Sequence, residues 1–203
     1  MKKKKKNGSN IPKYFLILLI LISSLVTIIK FSGDRNVEPT YEYKNKNLSS
    51  HKIKFINTIL PESKNVQKKY HILPSITIGQ AILESDWGES TLSKKYHNLY
   101  GIKANHPKDS YVILKTKEYK NNKAYYKKAK FKKYHNYNES IDDHSKLLKY
   151  GTSWNSKQYK EVINAVHFKK AALELQESGY ATDPVYTKKL IILIQKYKLD
   201  QFD

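Results

Sequence analysis

Residues Leu73–Lys103, LPSITIGQAILESDWGESTLSKKYHNLYGIK, hold the helix from which the rest of the chain is read. Ile78, Ala81, Ile82 and Ser85 recur at the i, i+3, i+4, i+7 spacing of one buried helical face, and Pro74 with Ser75 supplies a start. The spacing puts Glu84 in the last turn, beside Trp87 and Gly88. A carboxylate there meets the negative end of the helix dipole, and an indole next to it strips away water. Both effects favour the protonated acid, the state a general acid needs. A glutamate late in a helix is more often a solvated surface residue, and here the neighbourhood weighs against that. Gly79 inside the helix costs about 1 kcal/mol against alanine, which points to another backbone packed close. Asn98-Leu99-Tyr100-Gly101-Ile102-Lys103 adds a turn-rich cluster of polar and aromatic groups suited to sugars.

The composition narrows the partners. The chain has 203 residues, 39% of them hydrophobic, enough for one domain with a core plus an appendage. It has no cysteine, which excludes disulfides, thiol catalysis and cysteine-ligated metal. The net charge of +20 is spread along the whole sequence and implies an anionic partner. Lys2 to Lys6 and Lys13 precede an apolar run from Tyr14 to Ile29, and Ile11 to Phe31 is long enough to cross a bilayer, which takes roughly 20 residues. A cleaved signal peptide is the alternative, but no small-x-small site follows the run. The basic excess before the span puts the N-terminus in the cytoplasm and the rest outside the cell membrane. The expected organisation is a basic tail at 1–13, a transmembrane anchor at 14–31, a polar linker at 32–50 and a folded domain at 51–203. Beyond residue 31 there are 31 basic and 18 acidic residues. For an exported domain this favours anionic wall polymers or the membrane surface over nucleic acid.

Within the domain, residues 51–71 predict a helix interrupted at Pro61. Ser90 to Tyr96 predicts a short helix. Tyr111 to Tyr119 alternates as a strand, Lys120-Asn121-Asn122-Lys123 turns, and Ala124 to Tyr134 returns, giving a β-hairpin with Glu118 near its tip. Among lysines, Glu118 alone reads as an ordinary solvated strand residue. Lys127 to Tyr134 interleaves bases with aromatics, a pattern that also suits single-stranded nucleic acid. Ser140 with Asp143 predicts a capped helix start, Tyr159–Val166 and Phe168–Glu177 two further helices, and Asp183-Pro184 the start of a last one ending at Tyr197. The fold class is α+β, mainly α, with one small hairpin lobe. The seven histidines show no ligand spacing, so no metal and no cofactor are expected. A phosphate loop and a serine-nucleophile elbow are both missing from the sequence.

AILESDWGESTL from Ala81 and HNLYGIK from His97 resemble the signature of glycoside hydrolase family 73, the bacterial cell-wall endo-β-N-acetylglucosaminidases of autolysins. The resemblance covers roughly Ile53 to Tyr197 and implies a lysozyme-like domain. It makes Glu84 the catalytic acid and Glu118, in Thr116-Lys117-Glu118-Tyr119, a second carboxylate on a β-lobe facing it. Gly179-Tyr180-Ala181-Thr182-Asp183-Pro184 matches the block whose tyrosine, here Tyr180, lines the groove and assists the reaction. Trp87, Asn98, Tyr100 and Tyr186 are the expected sugar contacts. Lys115, Lys117 and Lys120 would keep Glu118 ionised while Glu84 stays protonated. Asp86 and Asn121-Asn122 depart from the common pattern. The implied reaction cuts the β-1,4 bond after N-acetylglucosamine in peptidoglycan glycan strands. Its rivals are a muramidase or lytic transglycosylase on the same scaffold, a non-catalytic wall-binding protein, and a membrane-bound nucleic-acid binder.

Overall fold

The computed structural model describes residues 41–120 and 123–203, with the backbone alone at 117–120 and 123–125. The tail and anchor expected at 1–31 lie outside the described residues. Among the described residues no helix is long and apolar enough to cross a membrane.

Helix α1 (Ser50–Tyr70) runs unbroken through Pro61, contrary to the interruption expected there. A proline inside a helix costs about 3 kcal/mol. Phe55, Ile56, Ile59 and Leu60 before it and Ser63, Val66 and Tyr70 after it are buried on one face, and this burial outweighs the cost. Residues 41–49, expected to belong to a polar tether, pack onto the domain instead. Tyr43 is 2% exposed, its hydroxyl donates to the Tyr197 carbonyl at 2.9 Å, and its N–H donates to Asn57 Oδ1 at 2.6 Å.

Helix α2 (Pro74–Ser85) is the central element. Every residue from Pro74 to Ile82 is buried, so it is covered on all sides and not on one stripe. Its start is capped from the far end of the chain: Asp203 accepts from Ser75 N at 2.8 Å and Ser75 Oγ at 2.7 Å. A carboxylate at a helix N-terminus satisfies free N–H groups and complements the dipole. Gly79 leaves room for helix α7 (Tyr186–Tyr197). A Cβ at Gly79 would stand 2.8 Å from Leu190 Cδ1 and 3.2 Å from Ile194 Cγ1, so the close approach comes from side chains of α7.

Past α2 the backbone turns through three successive left-handed residues, Asp86 (φ 51°), Trp87 (φ 60°) and Gly88 (φ 79°), into helix α3 (Thr91–Tyr96). The hairpin then pairs β1 (Tyr111–Lys120) with β2 (Lys123–Lys132) from Tyr111 opposite Lys132 to Lys120 opposite Lys123. Helix α4 (Tyr137–Tyr150) starts three residues before the expected Ser140. Asn136 is its cap, accepting from Glu139 N at 3.0 Å, and Ser140 is buried, accepting from Leu99 N at 3.0 Å. Helices α5 (Lys160–Asn164) and α6 (Phe168–Glu177) follow. Then comes α7, and a 3-10 turn (Leu199–Phe202) ends the chain. Asp183 caps the turn ahead of α7, its Oδ1 accepting from Val185 N at 3.0 Å, so Pro184 precedes the helix instead of opening it.

Candidate active site

Glu84 is the last residue but one of α2. Its neighbours up to Ile82 face protein on every side, but Glu84 itself is exposed, on the floor of a groove of about 1160 Å3. That volume exceeds the roughly 300–1,000 Å3 of a typical small-molecule site and suits a length of polymer. The walls are the loop from Tyr100 to Asp109, the second half of α4, the loop from Tyr180 to Asp183, and the start of α7. Solvent reaches Glu84 from the open side while these walls displace much of the water around its carboxyl. Burial pushes the Glu84 carboxyl above the usual carboxylate range, opposed by the Tyr186 hydroxyl, which favours the anion.

Two tyrosine hydroxyls stand beside this acid, each met from beneath by a buried polar side chain. Gln80 Nε2 donates to the Tyr186 hydroxyl at 3.0 Å, and His144 Nε2 lies 3.0 Å from the Tyr180 hydroxyl. The two phenol rings are 5.9 Å apart, and Tyr159 closes on Tyr180 edge-on at 6.2 Å. Burial pushes the Tyr180 and Tyr186 hydroxyls upward, and nearby charge on Glu84 adds to this, so both remain protonated. The site thus joins a carboxyl held toward its neutral form to two hydroxyls that can donate. It can protonate a leaving oxygen and hydrogen-bond the group being cut.

The other expected contacts divide. Tyr100 reaches the groove, but at 6% exposure it shows little surface. One ring face stacks on His144 (3.9 Å, 11°), and its hydroxyl donates to the Thr77 carbonyl at 3.2 Å. Asn98 is 1% exposed and spent on shaping the loop: Nδ2 donates to the carbonyls of Ile102 and Lys132, both at 2.9 Å, and Oδ1 accepts from Ile102 N at 3.0 Å. Trp87 is not among the groove's lining residues. Beyond the left-handed turn at 86–88 its ring packs edge-on to Tyr197 at 4.8 Å and Phe55 at 6.3 Å, under Lys52 Nζ at 4.6 Å. The water around Glu84 is therefore displaced by tyrosines and not by this indole.

For Glu118 the backbone gives a position. Residue 118 pairs with Tyr125 and shares a face with Val112, Leu114 and Thr116. Val112 pairs with Phe131, which also bridges to the groove residue Lys103, so 103 and 118 stand on one face of the lobe. Position 118 lies on the order of 20 Å along the strand from Val112, toward the hairpin tip. The register puts Lys115 and Lys117 on the opposite face. The lysines that share the face of 118 are Lys120, Lys123 and Lys127.

His144 and Gln80 were not anticipated. The signal for His144 was present in α4, where Ser140, Ile141, His144, Ser145 and Leu148 form one buried face with a titratable ring in its middle. Tyr150, which lines the groove at 62% exposure, carried no such signal.

The family model described as Glucosaminidase, mannosyl-glycoprotein endo-beta-N-acetylglucosaminidase, matches residues 60–199. The exo-glucosaminidase LytG of Bacillus subtilis is 42% identical over 207 residues, an alignment covering 100% of this chain and 69% of LytG. A probable N-acetylmuramidase of Lactococcus lactis is 38% identical over 152 residues, 73% of this chain and 34% of that protein's length. Among solved structures, the catalytic domain of the autolysin Auto from Listeria monocytogenes superposes with a TM-score of 0.71 at 40% identity, covering 78% of this chain and 91% of that domain.

Proposed function

This chain belongs to the glucosaminidase family, and from that premise we propose that it is a glycoside hydrolase cutting the β-1,4 bond after N-acetylglucosamine in the glycan strands of peptidoglycan. The observation that carries the reading is the place of Glu84: a carboxyl raised toward its neutral form on the floor of a polymer-sized groove, with two protonated tyrosines beside it. A neutral acid at that point can give its proton to the glycosidic oxygen as the bond breaks. Tyr180 then hydrogen-bonds the N-acetyl group, the attacking water or the developing charge, and Glu118 serves as base or electrostatic stabiliser from the lobe. Glycan strands are the substrate. Anionic wall polymers or the membrane surface are the further partners of a basic exported domain. The apolar run at 14–31 anchors the chain in the cell membrane with the domain outside.

The test is digestion of purified glycan strands with mass analysis of the ends. Fragments ending in reducing N-acetylglucosamine support the proposal, and Glu84→Gln should abolish them. Cleavage by Glu84→Gln at the unsubstituted rate would remove Glu84 from the chemistry. The likeness to an N-acetylmuramidase supports one rival, cleavage on the other side of the disaccharide, which the same digest reports as reducing N-acetylmuramic acid. An anhydro end would indicate the transglycosylase. Fragment length reads the mode of attack: oligosaccharides for internal cuts, and single sugars for the terminal attack that the exo-glucosaminidase's name describes.

A further inference from the structure

We infer that His144 is a positioning residue: its buried imidazole donates Nε2–H to the Tyr180 hydroxyl and thereby turns that tyrosine's own O–H outward into the groove that holds Glu84. The inference deepens the proposed function and rests on Tyr180 taking part in the reaction.

The imidazole is held on all sides. His144 is 1% exposed, stacked on Tyr100 at 3.9 Å and 11°, and edge-on to Tyr180 at 5.7 Å and 88°. Its Nε2 lies 3.0 Å from the Tyr180 oxygen, while Nδ1 has no hydrogen-bond partner among the described residues. Burial holds the ring neutral, down to about 3 against the pull of Asp143's charge. A neutral imidazole carries one N–H and one bare nitrogen. If the proton sat on Nδ1, a buried N–H would be left without an acceptor, a costlier and rarer state than a bare acceptor. The proton therefore belongs on Nε2, pointing at Tyr180.

That choice sets the polarity of the hydroxyl. A phenol has a single proton. When its oxygen already accepts from beneath, the proton is free to be donated elsewhere, and the open direction is the groove. With the other tautomer Tyr180 would spend its proton on His144 and offer the substrate lone pairs alone. A hydroxyl aimed before the substrate arrives needs no reorientation as charge develops, which is where preorganised donors act. Gln80 beneath Tyr186 repeats the arrangement, so both hydroxyls beside Glu84 face it as donors.

The experiment measures kcat and KM on glycan strands for the full chain carrying Tyr180→Phe, His144→Phe, His144→Gln and His144→Asn, together with the Tyr180→Phe/His144→Phe double variant. Phenylalanine keeps the stacked ring and removes the donor. Glutamine puts an amide N–H near the place of Nε2, and asparagine puts its amide near Nδ1. His144→Phe should lower kcat roughly 10–100-fold, less than the roughly 100–1,000-fold that outright loss of a preorganised donor costs, with KM within about twofold. Glutamine should restore most of the rate and asparagine should not. The double variant should be no slower than Tyr180→Phe alone. If Tyr180→Phe is slow while His144→Phe is normal, the positioning role is refuted and the tyrosine's role stands. If Tyr180→Phe is itself normal, the reading of Tyr180 falls first. Multiplying single effects, or glutamine and asparagine behaving alike, also overturns the inference. The glutamine and asparagine pair decides even where the phenylalanine variant does not fold.

Discussion

At Glu84 burial and the Tyr186 hydroxyl pull proton affinity in opposite directions, and that opposition gives the residue a measurable signature. Removing the hydroxyl in Tyr186→Phe removes the group that favours the anion, so Glu84 should hold its proton to higher pH. The alkaline limb of the kcat/KM profile, which reports the acid in the free enzyme, should move upward. A limb that stays or moves down would take Tyr186 away from Glu84. The raised affinity also bears on stability. Below the ordinary carboxylate range the acid is protonated both folded and unfolded. As pH rises through that range toward the folded value, the unfolded chain ionises freely while the folded acid still holds its proton, so the folded state loses stability. Glu84→Gln should therefore melt above the natural protein at pH 7 and level with it near pH 3, read by thermal denaturation. Glu84 was legible because a single acid closes an apolar helix. Trp87 was misplaced because nothing in its spacing tells of three consecutive left-handed residues, and Gln80 and His144 were missed because their value lies in partners more than thirty positions away.

Elements were legible where one periodic pattern decides them and were misread where long-range contacts outvote a local signal. The hairpin, α2 and α6 follow their patterns, whereas Pro61 stops nothing because the packed face of α1 continues past it. The joint between α1 and α4 shows what packing and charge add. Asp142 Oδ1 accepts from Tyr70 at 2.8 Å and from Lys69 at 3.0 Å, and Oδ2 pairs with Lys146 at 2.6 Å. Burial alone would raise the Asp142 carboxyl, but these hydrogen bonds prevail and hold it at about 2. A depressed carboxylate stabilises the fold above its unfolded value, and that stability is lost as pH falls toward 2. Asp142→Asn should cost about 2 kcal/mol at pH 7 and almost nothing near pH 2, measured by urea unfolding at each pH. At the contact of α2 with α7, Gly79→Val should destabilise by about 1–3 kcal/mol, because the buried Leu190 and Ile194 cannot give way. Gly79→Ala should cost less, since alanine recovers about 1 kcal/mol of helix propensity. Equal melting of all three would mean that the close approach is absent in solution.

Over the whole molecule two kinds of attachment are proposed, each in a different part of the chain. The domain's outer hairpin face carries Tyr111, Ile113 and Lys115 beside Tyr126, Lys128 and Lys130. Lys115 stands opposite Lys128, a like-charged pair that weakens a hairpin. Lys115 and Lys130 instead lie over the rings of Tyr126 and Tyr111 at 4.7 and 4.5 Å. Such a face gains most from an external polyanion, and ionic attraction of that sort fades as salt shortens the screening length to about 3 Å at 1 M. The anchor proposed at 14–31 would hold by burial in lipid, which salt does not weaken. The two attachments therefore separate by salt. The chain from residue 41, which contains the packed unit Tyr41–Asp203, should sediment with cell walls in dilute buffer, leave them in 1 M salt, and do so sooner when Lys115, Lys128 and Lys130 are changed to glutamate. The full chain should stay with the membrane fraction at the same salt and leave only with detergent. Release of the full chain by salt alone would end the anchor proposal, and salt-insensitive wall binding by the shorter chain would end the polyanion one.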